Sequence, residues 1–123
     1  WRGLKTRFSD RDVPLVGQAL WAAERVVQAP SDSVFAFARY NQTDATAANS
    51  ASAALNKWLK QYVPAGCTMH SFRHSMRDRL RAVECPSEVI DQIGGWATDG
   101  IGASYGAGYH YSALVGWLRK IVT

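Results

Sequence analysis

The sequence predicts a mainly α-helical domain with a small β-hairpin at its N-terminal edge, an α+β fold. Apolar residues recur at helical spacing in several segments, and Pro or Gly residues separate those segments. Near the start, the turn-prone pair Ser9-Asp10 lies between two short arms. The length of 123 residues fits one domain, residues 1–123, and a composition that is 47% hydrophobic and 20% charged is that of a folded protein.

The first third of the chain contains the predicted hairpin, over residues 3–14, and one helix. Pro14 opens that helix, and Pro30 ends it. Its apolar residues form two rows, which are Leu15, Ala19, Ala22 and Val26, and then Val16, Leu20, Ala23 and Val27. Residues 34–37 fit either a strand or a loop, and residues 41–49 are mostly polar.

Two helices are predicted in the middle of the chain. The first has apolar residues at helical spacing, which are Ala51, Leu55, Trp58, Leu59 and Tyr62. Pro64 and Gly66 end it. The next helix runs from about Thr68 to Val83. Its predicted buried stripe is Phe72, Met76, Leu80 and Val83, and the neighbouring basic row is Arg73, Arg77 and Arg81.

The last part contains a short helix, a glycine-rich loop and a final helix. Pro86 starts the short helix, and Gly94-Gly95 ends it. Its inward residues are Val89, Ile90 and Ile93. Residues 97–108 form the loop, and Ser112 is predicted to cap the final helix. The apolar side of that helix fits packing on its own domain or docking on a neighbouring subunit, and its members are Leu114, Trp117, Leu118 and Ile121.

Composition limits the classes of partner and the cellular setting. The net charge of +4 and the pI near 9.3 favour polyanions, although only modestly. The sequence has no run of 18 apolar residues, so it predicts no membrane span. Cys67 and Cys85 are too few for a disulfide framework, which predicts a reduced, cytoplasmic setting.

Four residues suit chemistry on a phosphodiester: His70, Arg73, Trp96 and Tyr105. Imidazole, guanidinium and indole groups can each donate a hydrogen bond to an anion, and a phenol can act as a nucleophile. Each residue alone has an ordinary structural explanation, such as a helix cap, a surface charge or a core tryptophan. Together they provide three phosphate-facing donors and a phenol that can form a phosphotyrosine.

The order and spacing of four motifs resemble the catalytic domain of the tyrosine recombinases, the phage integrase family. The motifs are Lys5-Thr6-Arg7 with Arg11-Asp12-Val13-Pro14-Leu15, then His70-Ser71-Phe72-Arg73-His74, then Ile93-Gly94-Gly95-Trp96, and finally Tyr105 nine positions after the tryptophan. Type IB topoisomerases have a similar site, but the compact tryptophan-to-tyrosine spacing resembles the integrases.

The resemblance implies cleavage and rejoining of double-stranded DNA through a 3′-phosphotyrosyl intermediate, with Tyr105 as the nucleophile and Lys5 as the general acid. Arg73, His70 and Trp96 would hold the phosphate. Expected DNA contacts come from basic residues near these motifs: Arg7, His74, Arg77 and Arg81. No metal ion or other cofactor is expected, and full-length recombinases of this family usually act as homo-tetramers on DNA.

One departure concerns a first catalytic arginine, which the family carries upstream of the lysine hairpin. Trp1 stands directly before this hairpin, and Arg2 is not in a matching context. The amino-terminal DNA-binding domain of the family also has no counterpart in these residues. We therefore expect the 123-residue chain by itself to have little or no strand-cleaving activity.

Three alternatives remain open from the sequence. Tyr109, in Gly-Tyr-His-Tyr, is a second candidate nucleophile. Two thiols and two imidazoles offer a possible zinc set, which is Cys67, His70, His74 and Cys85. The basic row of the third helix also fits a non-catalytic DNA-binding module, although that function would leave Trp96 and Tyr105 without a role.

Overall fold

The structure is a computed structural model that describes residues 10–30, 32–97 and 108–122. Within these ranges it contains five α-helices, so the prediction of a mainly helical fold is confirmed. They are α1 (Gly17–Gln28), α2 (Ala48–Leu59), α3 (Ser71–Ala82), α4 (Ser87–Gly94) and α5 (Tyr111–Lys120). Over these same ranges, every helix is too short or too polar to cross a membrane.

The predicted β-hairpin falls mostly on residues 1–9, which lie outside the described residues. Its remaining part, residues 10–14, has no regular secondary structure. The β pairing in the described part of the chain is an isolated antiparallel bridge between Asn41 and Thr46. Residues 34–37, which fit either a strand or a loop, form bends and turns.

The hydrophobic core lies between α3, α4 and α5. Leu80 of α3, Val89 and Ile93 of α4, and Leu114 and Leu118 of α5 are buried and belong to one cluster. Burying an aliphatic side chain of this size stabilises a fold by about 1.5–3 kcal/mol. The three C-terminal helices therefore supply most of the apolar burial that holds the described chain together.

Helix α3 matches its predicted stripe in three of four positions. Leu80 is fully buried, and Met76 and Val83 pack against the core. The prediction for Phe72 is wrong, because its side chain is 57% exposed. Phe72 lies in the first turn of α3, whereas the residues through which this helix reaches the described core begin at Met76, one turn later.

Helix α4 begins and ends as the sequence predicts. Pro86 precedes it with an extended backbone, and Gly95 follows it with φ +66°. That left-handed conformation is readily adopted by glycine because glycine has no Cβ. It turns the chain sharply, so that the Trp96 N–H donates to the Asp91 carbonyl at 3.0 Å.

Helix α5 packs on its own chain, which is one of the two alternatives for its apolar side. Leu114 and Leu118 are buried, and Trp117 and Ile121 contact the core. The predicted cap is wrong by two positions. His110 is the N-cap, and its Nδ1 accepts a hydrogen bond from the Ser112 N–H at 3.3 Å.

Helices α1 and α2 contribute much less to the core. Helix α1 begins at Gly17 rather than Pro14 and has no buried residue, so its two predicted apolar rows are not buried. Helix α2 buries Leu59 alone, while Trp58 and Tyr62 are 54% and 67% exposed. A hydrogen bond from the Met69 N–H to Asn56 Oδ1, at 2.7 Å, links α2 to the segment that precedes α3.

Candidate functional site

The candidate site begins with five residues on one side of α3. His70 stands just before the helix with helical backbone angles, φ −66° and ψ −25°, so helical periodicity includes it. Each helical residue turns by about 100°, which places these five residues within about 100° of the helix circumference. We call this surface the basic face, and its members are His70, Arg73, His74, Arg77 and Arg81.

Trp96 lies against the basic face, although it is distant from it in sequence. The Arg73 Cζ atom is 4.1 Å from the centroid of the indole ring, and the Arg77 Cζ atom is 4.7 Å from it. Guanidinium groups over an indole gain about 0.5–2 kcal/mol each, depending on how far water is excluded. The structure therefore brings together Arg73 and Trp96, two of the predicted catalytic residues.

The end of α4 determines where Trp96 lies. The left-handed Gly95 reverses the chain, and the hydrogen bond to the Asp91 carbonyl fixes the Trp96 backbone. Gly94 is buried, and a Cβ at that position would overlap the six-membered ring of the indole. The Gly94-Gly95 pair thus has two functions: one glycine makes the turn, and the other leaves room for the ring.

Two of the arginines on the basic face have carboxylate partners. Arg77 Nη2 lies 3.7 Å from Asp91 Oδ1, and Asp91 is only 8% exposed. Arg81 Nη1 lies 3.7 Å from Asp78 Oδ1, where both side chains are exposed. An exposed pair of this kind contributes about 0–1 kcal/mol. The charge of each of these arginines is therefore partly balanced by a carboxylate of the same chain.

Arg73 differs from both of them. Within the described ranges, no carboxylate lies within 4 Å of its guanidinium. The side chain is half-buried against Trp96 and keeps donors that can bind two oxygens of one phosphate. Arg73 is therefore the arginine of the basic face that is best prepared to bind an external anion.

The two histidines of the basic face lie side by side. The ring centroids of His70 and His74 are 5.0 Å apart, and the ring planes meet at 72° in an edge-to-face arrangement. Both residues are exposed at the start of α3. Each imidazole ring can donate a hydrogen bond to an anion bound at this end of the basic face.

Arg11 connects the N-terminal part of the chain to the same end of α4. Its Nε donates to the Ile93 carbonyl at 3.1 Å, and its Nη2 donates to the Gly94 carbonyl at 3.0 Å. The last carbonyls of a helix have no partner within the helix, and they carry partial negative charge. Arg11 thus caps the helix end from which the chain turns to Trp96.

Tyr109 is held on α4 by three hydrogen bonds. Its hydroxyl donates to Glu88 Oε2 at 3.0 Å. Its backbone N–H donates to Gln92 Oε1 at 2.8 Å, and its carbonyl accepts from Gln92 Nε2 at 3.0 Å. The hydrogen bond to Glu88 and the negative charge of Glu88 raise the pKa of the Tyr109 phenol. This contact makes Tyr109 a poorer nucleophile than an unperturbed tyrosine.

Three predicted functional residues, Lys5, Arg7 and Tyr105, lie outside the described residues. The other predicted site residues all belong to the basic face or contact it. The alternative zinc set is not brought together. Cys85 is buried in the core, and across the described ranges no three His, Cys, Asp or Glu side chains are placed to hold a metal ion.

Sequence reasoning missed two residues that shape the site, Arg11 as a helix cap and Asp91 as the partner of Arg77. Asp91 did carry a signal, because it is a charged residue that directly follows the apolar pair Val89-Ile90 in a short helix predicted to be mostly buried. A buried carboxylate is rare unless it is paired. Arg11 carried no comparable signal, since its hydrogen bonds go to backbone atoms far away in sequence.

Comparison with known proteins adds no further information about this site. No protein-family model, no curated protein and no solved structure matches the chain at a significant level.

Proposed function

We propose that this chain carries the catalytic residues of a tyrosine recombinase, which cleaves and rejoins double-stranded DNA through a 3′-phosphotyrosyl intermediate. The observation that supports this proposal best is the contact between Arg73 and Trp96. The motif resemblance names these two residues as phosphate ligands, and they are adjacent in space although distant in sequence. Arg73 also has no carboxylate partner within 4 Å in the described ranges.

The proposed roles follow from the chemistry of each group. Arg73 donates two hydrogen bonds to the non-bridging oxygens and stabilises the extra negative charge of the pentavalent transition state, an effect of several kcal/mol in a site that excludes water. Trp96 offers only an indole N–H donor, so it binds an oxygen and transfers no proton. His70 exchanges a proton at the same phosphate.

The proposed reaction balances without an external energy source. The Tyr105 oxygen attacks phosphorus, a phosphorus–oxygen bond to the tyrosine forms, and the bond to the 5′-oxygen breaks. Lys5 donates a proton to the 5′-oxygen, which leaves as a hydroxyl, and His70 accepts the proton that the Tyr105 phenol loses. About one phenol in a thousand is ionised at pH 7, so Tyr105 depends on a base or on cationic surroundings. Attack by a new 5′-hydroxyl reverses the step and releases the tyrosine.

Helix α4 supports this assignment because it holds both described flanks of residues 98–107, the segment that contains Tyr105. On one side, Trp96 is bonded to the Asp91 carbonyl. On the other, Tyr109 is bonded to Gln92 and Glu88. Tyr109 is already engaged, and its pKa is raised. Of the two candidate nucleophiles, Tyr105 is therefore the one we propose.

A non-catalytic DNA-binding module is the second candidate function. It would use the row Arg73, Arg77 and Arg81 to follow a DNA backbone, and each phosphate contact would add about 0.9 to the slope of log affinity against log salt concentration. The ion pairs of Arg77 and Arg81 weaken this candidate. A homo-tetramer on DNA is a further part of the recombinase proposal and rests on the resemblance. The proposed cytoplasmic setting rests on the small number of cysteines.

The proposal is tested by trapping a covalent adduct. The full-length protein that carries these residues is incubated with nicked duplexes bearing its own recombination site, which is first selected from randomised DNA. We expect an adduct that survives denaturation. Tyr105→Phe should abolish the adduct and preserve DNA binding, whereas Tyr109→Phe should preserve both. An adduct that persists in Tyr105→Phe would identify a different nucleophile.

A second pair of variants separates catalysis from binding. Arg73→Ala should slow cleavage by about 100- to 1,000-fold, the usual effect of removing one transition-state donor, while DNA affinity changes far less. Arg79→Ala is the matched control, because this exposed arginine lies on the opposite side of α3. DNA binding without any adduct from the unaltered protein would favour the non-catalytic module.

A further inference from the structure

We infer that Arg77 and Asp91 form a positioning pair, which holds Trp96 and Arg73 in the orientation needed to receive an anion. The motif resemblance made Arg77 a DNA contact. The geometry assigns it instead to the interior side of the site, between a buried carboxylate and the indole. The consequence for catalysis rests on the proposed function, whereas the positioning of the indole does not.

The first step of the argument concerns the burial of Asp91. Asp91 is 8% exposed, and Arg77 is its ion-pair partner in the described ranges, at 3.7 Å. Removing a carboxylate from water is unfavourable unless a cation or hydrogen-bond donors replace the lost water. Arg77 supplies that cation, and the ion pair draws its guanidinium toward α4, although the side chain remains 36% exposed.

The second step concerns how Trp96 is fixed. Asp91 acts on Trp96 in two ways, because its carbonyl accepts the Trp96 N–H at 3.0 Å and its carboxylate holds Arg77. The Arg77 Cζ atom lies 4.7 Å from the indole centroid. Asp91 of α4 thus binds the Trp96 backbone directly and holds the face of the ring through Arg77.

The third step concerns charge. Arg73 and Arg77 are four residues apart on α3 and lie against the same indole ring. Like charges at this spacing repel each other. The Asp91 carboxylate offsets the charge of Arg77, so among the described residues the charge beside Trp96 that has no carboxylate within 4 Å belongs to Arg73. Loss of Asp91 would leave two arginines competing for one ring and one anion.

A measurement without DNA tests the positioning. The five tryptophans are replaced by 5-fluorotryptophan, and the Trp96 resonance is assigned with Trp96→Phe. Arg77→Lys, which keeps the charge but loses the planar stacking group, should shift the Trp96 signal. Asp91→Asn should do the same. The remaining signals should stay in place and report an intact fold, and the control Arg81→Lys should shift none.

An unchanged Trp96 resonance in both Arg77→Lys and Asp91→Asn would overturn the inference. If Asp91→Asn disturbs all the signals, Arg77→Lys alone decides the question, because it retains the ion pair and the fold. The measurement also stands apart from the proposed function. A full-length protein that forms no DNA adduct would remove the recombinase proposal and leave the result on indole positioning intact.

Activity supplies the second readout. In the full-length protein, Arg77→Lys should lower kcat for cleavage by about 10- to 100-fold, as misplacement of a catalytic group does, and should change KM for DNA by less than about threefold. A direct DNA contact predicts the reverse, a raised KM for DNA with kcat retained. That reverse pattern would overturn the positioning role.

Discussion

The six-membered ring of Trp96 lies over Gly94 so closely that a β-carbon at this position would overlap it. The contact explains why a glycine occupies the last position of α4, where other residues would favour the helix more. The indole can occupy this position only because glycine has no Cβ.

A methyl group at residue 94 should therefore displace the indole. We expect Gly94→Ala to lower the free energy of unfolding by about 1–3 kcal/mol, the usual cost of overpacking. Gly116→Ala in α5 is the matched control, since nothing lies within 4 Å of its added Cβ. That change should stabilise the helix by about 0.5–1 kcal/mol. Urea denaturation measures both values, and equal effects of the two substitutions would contradict the packing at Gly94.

The core residue Leu80 should be among the most sensitive positions in the chain. It is fully buried between α3, α4 and α5. We expect Leu80→Ala to lower the free energy of unfolding by about 2–5 kcal/mol, through lost apolar burial and a residual cavity. Leu20 of α1 is 43% exposed, and Leu20→Ala should cost about 0.5 kcal/mol or less. A comparable loss at Leu20 would show that α1 is covered by something in solution.

The phenol of Tyr109 should titrate above the ordinary tyrosine pKa of about 10. The Glu88 hydrogen bond and charge raise its pKa because they favour the protonated phenol. The contact therefore stabilises the fold below the unfolded-state pKa, and that contribution is lost as pH rises through the folded-state pKa.

Carbon-13 NMR of the tyrosine Cζ atoms, assigned with Tyr109→Phe, measures this titration. Glu88→Gln should lower the pKa of Tyr109 toward the ordinary value, because the charge is removed. Glu24→Gln on α1 serves as a control and should leave the Tyr109 titration as it is. If the pKa of Tyr109 is unchanged in Glu88→Gln, the Tyr109 hydroxyl does not contact Glu88 in solution.

The two cysteines should react at different rates with a thiol reagent. Cys85 is 7% exposed, and burial raises the pKa of its thiol, an effect that the Lys120 charge partly offsets. Cys67 is half-buried. Because the thiolate is the reactive form, the Cys67→Ser protein should label slowly and the Cys85→Ser protein quickly. Rapid labelling of Cys67→Ser would mean that the core around Cys85 opens readily.

The C-terminal half of the fold could be predicted because its local signals and its burial agree. Val89, Ile90 and Ile93 have helical spacing between Pro86 and Gly95, and all three are buried. The same spacing in α1 and α2 predicted helices correctly but did not reveal their exposure. Periodicity shows which side of a helix is apolar, and only the other elements determine whether that side is covered.

The basic face could be read from the sequence, since residues four apart on a helix are neighbours. The contact between Arg73 and Trp96 could not be derived from spacing, because it depends on the turn at Gly95 and on how α4 packs against α3. Only the motif resemblance suggested it. Neither the residue spacing nor the motif resemblance predicted the pairing of Arg77 with Asp91, because it is a tertiary contact between two helices.

The hydrogen bond from Arg11 to Ile93 joins residues that are 82 positions apart in sequence. Closing a large loop costs more entropy than closing a small one, and the connections between α3, α4 and α5 are far shorter than the 82 positions that separate Arg11 from Ile93. We therefore expect the C-terminal helices to assemble first and the segment that carries Arg11, which we call the amino-terminal arm, to join them later. Full ordering of the α4 terminus beside Trp96 then waits for that arm, so a force or a partner that pulls on the arm would loosen the site before it loosened the core.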